Sequence, residues 1–146
     1  MLAFALSATS AVRTVVTGPQ DVKSVAFSLL SEDTAQTDAL TLTGEPTLWT
    51  GTWTVPPPTS IWSGVQSATF VDGFQAALDV GSANTKLNGT VTYKSQAHSV
   101  RLDFDCEQSS EGARCAVNAD AYTKDNLRAF STFVGPTLVY TAVFGA

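Results

Sequence analysis

The clearest alternation in the chain runs from Val100 to Cys106. Val100, Leu102, Phe104 and Cys106 fall on one face, and Arg101, Asp103 and Asp105 on the other. Period two is the pattern of a half-buried β-strand. After a polar, Gly-containing stretch from Glu107 to Arg114, Cys115 and Val117 resume the inward face. This predicts an antiparallel hairpin with a Cys106–Cys115 bridge joining its strands. Closing so short a loop is worth about 2–3 kcal/mol in the chain-entropy model, less if the strands already pair without it.

Other stretches repeat the pattern. Leu87, Gly89, Val91 and Tyr93 alternate with Asn88, Thr90, Thr92 and Lys94, and Phe74, Ala76, Leu78 and Val80 with Gln75, Ala77 and Asp79. Asp72-Gly73, between Thr69-Phe70-Val71 and the latter run, is a two-residue hairpin cue. Val25, Phe27 and Leu29 predict an early strand, and Trp49 to Val55 another. Thr137 to Phe144, rich in β-branched and aromatic residues and nearly apolar on both faces, is expected in the middle of a sheet. Ser31 to Leu40 opens with a possible helix cap but has no apolar stripe at 3.6 spacing, and Lys124 to Phe130 could hold one turn. Pro56-Pro57-Pro58 cannot continue a central strand and reads as a connector or an edge. The fold expected is all-β: a single antiparallel sandwich or barrel of about seven or eight strands with one disulfide hairpin.

Composition narrows the setting. The chain has 146 residues, enough for one domain with a core, and is 44% apolar but only 14% charged. Net charge is −5 with scattered cations, so the basic footprint of a nucleic-acid or anionic-membrane binder is missing. Met1 to Ala11 is apolar, then small, with Thr9 and Ala11 at the −3 and −1 spacing of a signal-peptidase site. It is too short to span a membrane. It reads as the end of a secretory signal peptide whose basic start is missing, with a first strand as the alternative, and residues 12–146 as the domain. Two cysteines in a low-charge chain suit an oxidising compartment. His98 is the only histidine, which leaves no ligand set for zinc, and no other metal or cofactor is expected.

Candidate chemistry is sparse. Nucleophilic catalysis would have to use His98, and no Gly-x-Ser-x-Gly occurs, so His98 reads as a surface residue. Asp103, Asp105 and Glu107 stand on one strand face about 6.5–7 Å apart per step. That ladder could serve calcium or glycoside chemistry, but Arg101 shares the face and would neutralise part of it. A solvated charged face takes precedence, and no catalytic residue is assigned. Trp49, Trp53 and Trp62 invite a carbohydrate-binding reading; if Trp49 and Trp53 lie on one strand they share a face, about 13 Å apart. Against that, a tryptophan on a strand is more often core. Asn88-Gly89-Thr90 is an N-glycosylation sequon on a polar strand face.

The stretch from Val100 onward resembles the end of a group of small secreted or GPI-anchored fungal cell-surface proteins. The matching parts are Leu102-Asp103-Phe104-Asp105-Cys106, Arg114-Cys115-Ala116-Val117, Ser131-Thr132-Phe133 and Leu138-Val139-Tyr140-Thr141-Ala142-Val143. Val25-Ala26-Phe27-Ser28-Leu29 and Gly44-Glu45-Pro46-Thr47 also look like it. Those proteins usually carry a further cysteine pair in their first half and a Ser/Thr-rich stalk, and this sequence has neither. The resemblance implies a non-enzymatic extracellular or cell-wall-associated interaction domain, contacting wall polysaccharide or another extracellular protein. It transfers no catalytic residue.

Overall fold

The computed structural model describes residues 9–19, 21–31, 40–61, 73–80, 85–95, 99–122 and 127–144. Among these residues the chain forms thirteen strands and no helix. They are β1 (Thr9–Gly18), β2 (Ser24–Ser31), β3 (Leu40–Leu42), β4 (Thr47–Thr50), β5 (Thr52–Val55), β6 (Ser60–Ile61) and β7 (Gly73–Ala77). After these come β8 (Asp79–Val80), β9 (Thr85–Lys94), β10 (Ser99–Ser109), β11 (Gly112–Tyr122), β12 (Leu127–Val134) and β13 (Thr137–Phe144). They build two sheets packed face to face as a sandwich.

The first sheet runs β1-β11-β10-β9. The far edge of β9 is shared by three short strands in line: β8 at Thr85 and Lys86, β4 from Asn88 to Thr90, and β3 at Tyr93 and Lys94. β6 then pairs with β3. The second sheet is ordered β12-β13-β2-β7-β5, antiparallel except that β2 and β13 run parallel. β13 therefore has a neighbour on each side, as its two apolar faces predict.

The alternating positions meet between the sheets. Leu87, Gly89, Val91 and Tyr93 of β9 are buried, as are Val100, Leu102, Phe104 and Cys106 of β10 and Cys115 and Val117 of β11. From the second sheet come Val25, Phe27 and Leu29 of β2, Phe74 and Ala76 of β7, and Leu138 and Tyr140 of β13. Aromatic rings knit the layers: Phe27 stacks on Phe74 at 5.1 Å and reaches across to Phe104 at 4.6 Å between centroids. Cys106 and Cys115 are directly opposed in the β10–β11 hairpin and form the expected disulfide.

Two expected strands are divided, which raises the strand number above seven or eight. The alternating run from Phe74 to Val80 forms β7 in one sheet and β8 in the other, with the chain crossing at buried Leu78. The inward side of a sandwich strand faces the same core from either sheet, so crossing leaves the alternation intact. The run from Trp49 to Val55 is likewise cut into β4 and β5, which belong to different sheets. Gly51 makes that corner at φ 117°, a conformation that L side chains rarely adopt. A Cβ there would collide with the Leu87 side chain and sit 3.1 Å from the Ala77 carbonyl. Asp79 fastens the corner, its carboxylate accepting from Gly51 N at 2.9 Å and Thr52 Oγ1 at 3.1 Å. Both crossings thus lie side by side.

The proline run connects β5 to β6, with Pro57 buried and the Pro58 carbonyl accepting a 2.7 Å bond from the Tyr93 hydroxyl. β1 begins at Thr9, so the Thr9–Ala11 part of the supposed leader pairs with β11 at Ala121–Tyr122 and Asp120. The Thr69–Asp72 half of the expected hairpin, the central part of the stretch from Ser31 to Leu40, and His98 and Trp62 lie outside the described residues. No helix among the described residues is long and apolar enough to cross a membrane.

Candidate functional site

The outer face of the eight-stranded sheet collects most of the polar residues singled out in the sequence. Register sets them in rows across β1, β11, β10 and β9. One row reads Arg13, Asn118, Asp103, Thr90, and the next reads Val15, Ala116, Asp105, Asn88. Neighbouring strands lie about 4.8 Å apart, so each row spans about 14 Å from β1 to β9.

Ala116 is the short residue in this field. It faces outward yet is only 7% exposed, because longer side chains stand around it. The result is a shallow depression of about 210 Å³ floored by Ala116 and bordered by Arg13, Asn118, Asp105, Asn88 and Trp49. Trp49 stands at its β4 end. β4 and β9 pair with a register shift between Leu48 and Thr50, where Leu48 opposes Gly89 and Thr50 opposes Asn88, so Trp49 is the extra residue of a bulge. Bulges re-aim side chains. Here Leu48 packs against the core while the Trp49 side chain is left 64% exposed.

Gly89 permits this close approach of β4. A Cβ on it would press into the Thr47 carbonyl and stand 2.7 Å from Leu48 Cδ2 and 2.9 Å from Phe104 Cε2. The glycine therefore lets Leu48 and the Phe104 ring fit beneath the strand that carries Trp49.

The tryptophans expected to share a strand face have opposite surroundings. Trp53, on β5 in the other sheet, packs edge-on against Phe74 at 5.8 Å and Phe104 at 6.2 Å, as part of the core boundary. The core reading thus holds for Trp53 and fails for Trp49. Its failure traces to the Gly51 corner and the β4 bulge, neither of which alternation alone reveals. A glycine between two tryptophan-bearing tetrads was the available signal.

The acidic ladder projects from β10 as expected. Arg101 Nε donates to Asp103 Oδ1 at 3.1 Å, and Lys86 pairs with Glu107 at 3.6 Å. These are solvent-washed pairs of small energetic weight. Asp105 is exposed at the rim of the depression. Among the described residues no three Asp, Glu, His or Cys side chains are gathered closely enough to hold a metal ion. Arg13 donates to Asn118 Oδ1 at 3.3 Å, which fixes the opposite end of the depression.

A second cavity, of about 470 Å³, opens at one end of the sandwich beside Val22, Leu78 and Thr85. Its polar wall is already engaged, since Gln108 Oε1 accepts from Val22 N at 2.7 Å. Among the described residues one titrating group is strongly perturbed, and it lies in the core. Burial pushes the Tyr140 hydroxyl up to about 12, with the Thr14 side chain opposing the shift. That hydroxyl makes no well-formed hydrogen bond and lines neither cavity, so it serves packing.

The chain matches no family model, no curated protein and no solved structure. What the face can do chemically must be read from its own residues. It offers one exposed aromatic plane, amide groups that both donate and accept, and charges of both signs within a shallow, open hollow.

Proposed function

We propose that this chain is a non-enzymatic extracellular interaction domain that meets its partner through the outer face of the eight-stranded sheet. The observation that carries this reading is the Trp49 indole, 64% exposed at the edge of a polar depression. A sandwich with a well-filled aromatic core gains nothing in stability by leaving a tryptophan side chain in water. An indole plane beside amides and carboxylates suits a pyranose, whose apolar face stacks while its hydroxyls exchange hydrogen bonds at the ring edge.

A saccharide is therefore the partner class that the site favours, and the fungal resemblance points to wall polysaccharide. Export is supported by the Cys106–Cys115 disulfide, since such bonds persist in oxidising compartments. The depression is open and wet, and Asp103 is held by Arg101. General acid–base catalysis needs two groups on opposite sides of a substrate, whereas Asp103 and Asp105 stand side by side on one face of β10. Binding asks only for a plane and a few donors.

A glycan array probed with bacterially produced, oxidised domain tests the reading. Retention on a defined set of β- or α-linked glucans, mannans or chitin oligosaccharides, lost in Trp49→Ala and kept in Lys23→Ala, is the expected result. An array with no retained glycan overturns the saccharide partner. Binding untouched by Trp49→Ala overturns the face.

A further inference from the structure

The sequon residue Asn88 and the exposed Trp49 line the same depression. Asn88 sits on β9 opposite Thr50, beside the β4 bulge that turns Trp49 outward. Both side chains leave the sheet on its outer face, and both are exposed. We propose that Asn88 is N-glycosylated and that the first sugar of its glycan folds back onto the Trp49 indole, so that in the exported chain this glycan holds the depression in cis and a partner saccharide reaches Trp49 by displacing it. This rests on the extracellular reading given above, because only an exported chain meets the glycosylation machinery.

The chemistry is that of group transfer from a lipid diphosphate-linked oligosaccharide. The Asn88 amide nitrogen forms a bond to the anomeric carbon and gives up a proton to a base of the transferase. The C–O bond to the lipid diphosphate breaks, and the diphosphate leaves with the electron pair. The third sequon residue shows when this happens. Thr90 Oγ1 is enclosed in the folded sheet without a hydrogen-bond partner, so the hydroxyl that defines the sequon is accessible only before β9 is paired. The sugar is thus in place when β4 docks, and the bulge delivers Trp49 beside it.

The neighbourhood fits a single N-acetylhexosamine. Ala116 leaves room at the floor, the Trp49 plane offers a stacking surface, and Asp105 on the adjacent strand is placed in register with Asn88 to accept from sugar hydroxyls. A glycan so placed binds the native state and not the unfolded chain, so it stabilises the fold through Trp49.

The test uses the chain secreted from a eukaryotic host, alongside its Asn88→Gln variant. Glycopeptide mass spectrometry should place an N-acetylhexosamine core on Asn88 and none in Asn88→Gln. The glycosylated form should melt roughly 3 °C above Asn88→Gln secreted from the same host, the shift expected of one aromatic stacking contact in a chain of this size. Trp49→Ala should reduce that difference to less than about 1 °C. In parallel, the N-acetyl methyl proton resonance should lie upfield in the wild type and return to its free position in Trp49→Thr. Secreted protein unmodified at Asn88 overturns the proposal, as does an equal melting shift with and without Trp49. Neither result touches saccharide binding by the bacterial domain, whose failure would leave the cis contact standing.

Discussion

Replacing Trp49 and Trp53 separately by alanine should give opposite outcomes, although the residues are four apart and chemically identical. Trp53 touches the rings of Phe74 and Phe104 edge-on, at 5.8 and 6.2 Å. Each such aromatic contact is worth about 0.5–1.5 kcal/mol beyond area burial, and full burial would put a Trp→Ala loss at about 3–5 kcal/mol. Trp53 is only partly buried, so about 3 kcal/mol is the reasoned cost. For 146 residues the unfolding entropy is about 0.3 kcal/mol/K, which converts that loss to about 10 °C in Tm. Trp49 is 64% exposed and should stay within about 0.5 kcal/mol of wild type. Urea unfolding followed by far-UV circular dichroism reads both variants without relying on the tryptophan signal. A Trp49→Ala loss as large as that of Trp53→Ala would refute the division of the two residues between face and core.

Three further outcomes follow from the packing. Alkylation of the unreduced, denatured protein should find no free thiol, and Cys106→Ala/Cys115→Ala should lose about 2 kcal/mol, since the bridge closes a hairpin already paired through ten other positions; two reactive thiols would remove the bridge. Gly89→Ala keeps the sequon but forces a methyl against Leu48 and Phe104, and should cost about 1–3 kcal/mol in chemical denaturation; a neutral result would show that β4 does not lie so close. The Tyr140 hydroxyl is held protonated to about 12 in the fold against 10.0 when unfolded. Its contribution is therefore intact below pH 10 and is lost as pH rises toward 12, by about 3 kcal/mol. Tyr140→Phe should flatten that alkaline limb relative to wild type, and identical limbs in both would exclude Tyr140 as its cause.

The sheets were legible in the sequence because the core asks for a side chain at every second position. Leu87 to Tyr93, Val100 to Cys106 and Val25 to Leu29 could be assigned to inward faces without knowing their partners. The Cys106–Cys115 pairing was legible for the same reason, since both residues fall on the inward phase of one hairpin. What alternation conceals is a change of sheet. A strand that crosses the sandwich at Leu78, or turns at Gly51, keeps its inward residues inward, and only the hydrogen-bond partners change.

The candidate site was legible in its parts and not in its assembly. Asn88, Asp103 and Asp105 were placed on outward faces from their own strands, and the Arg101–Asp103 pair could be anticipated from their i, i+2 spacing. Trp49 joins them only because β4 pairs with β9 next to Asn88, a contact between residues 39 positions apart that no local pattern encodes. The small residue that makes the hollow, Ala116, carries no chemistry at all and gains its meaning from the lengths of its neighbours.

The proposed partner surface, the face that carries Trp49, is open to direct observation. Two-dimensional ¹H–¹⁵N NMR of the bacterial, unglycosylated domain titrated with the saccharide selected on the array tests it most directly. The indole N–H of Trp49 and the backbone amides of Asn88, Asp105 and Ala116 should shift together with one dissociation constant, while the indole N–H of Trp53 stays in place. Shifts confined to the β2–β7 side of the sandwich, with Trp49 unmoved at saturating ligand, would contradict it.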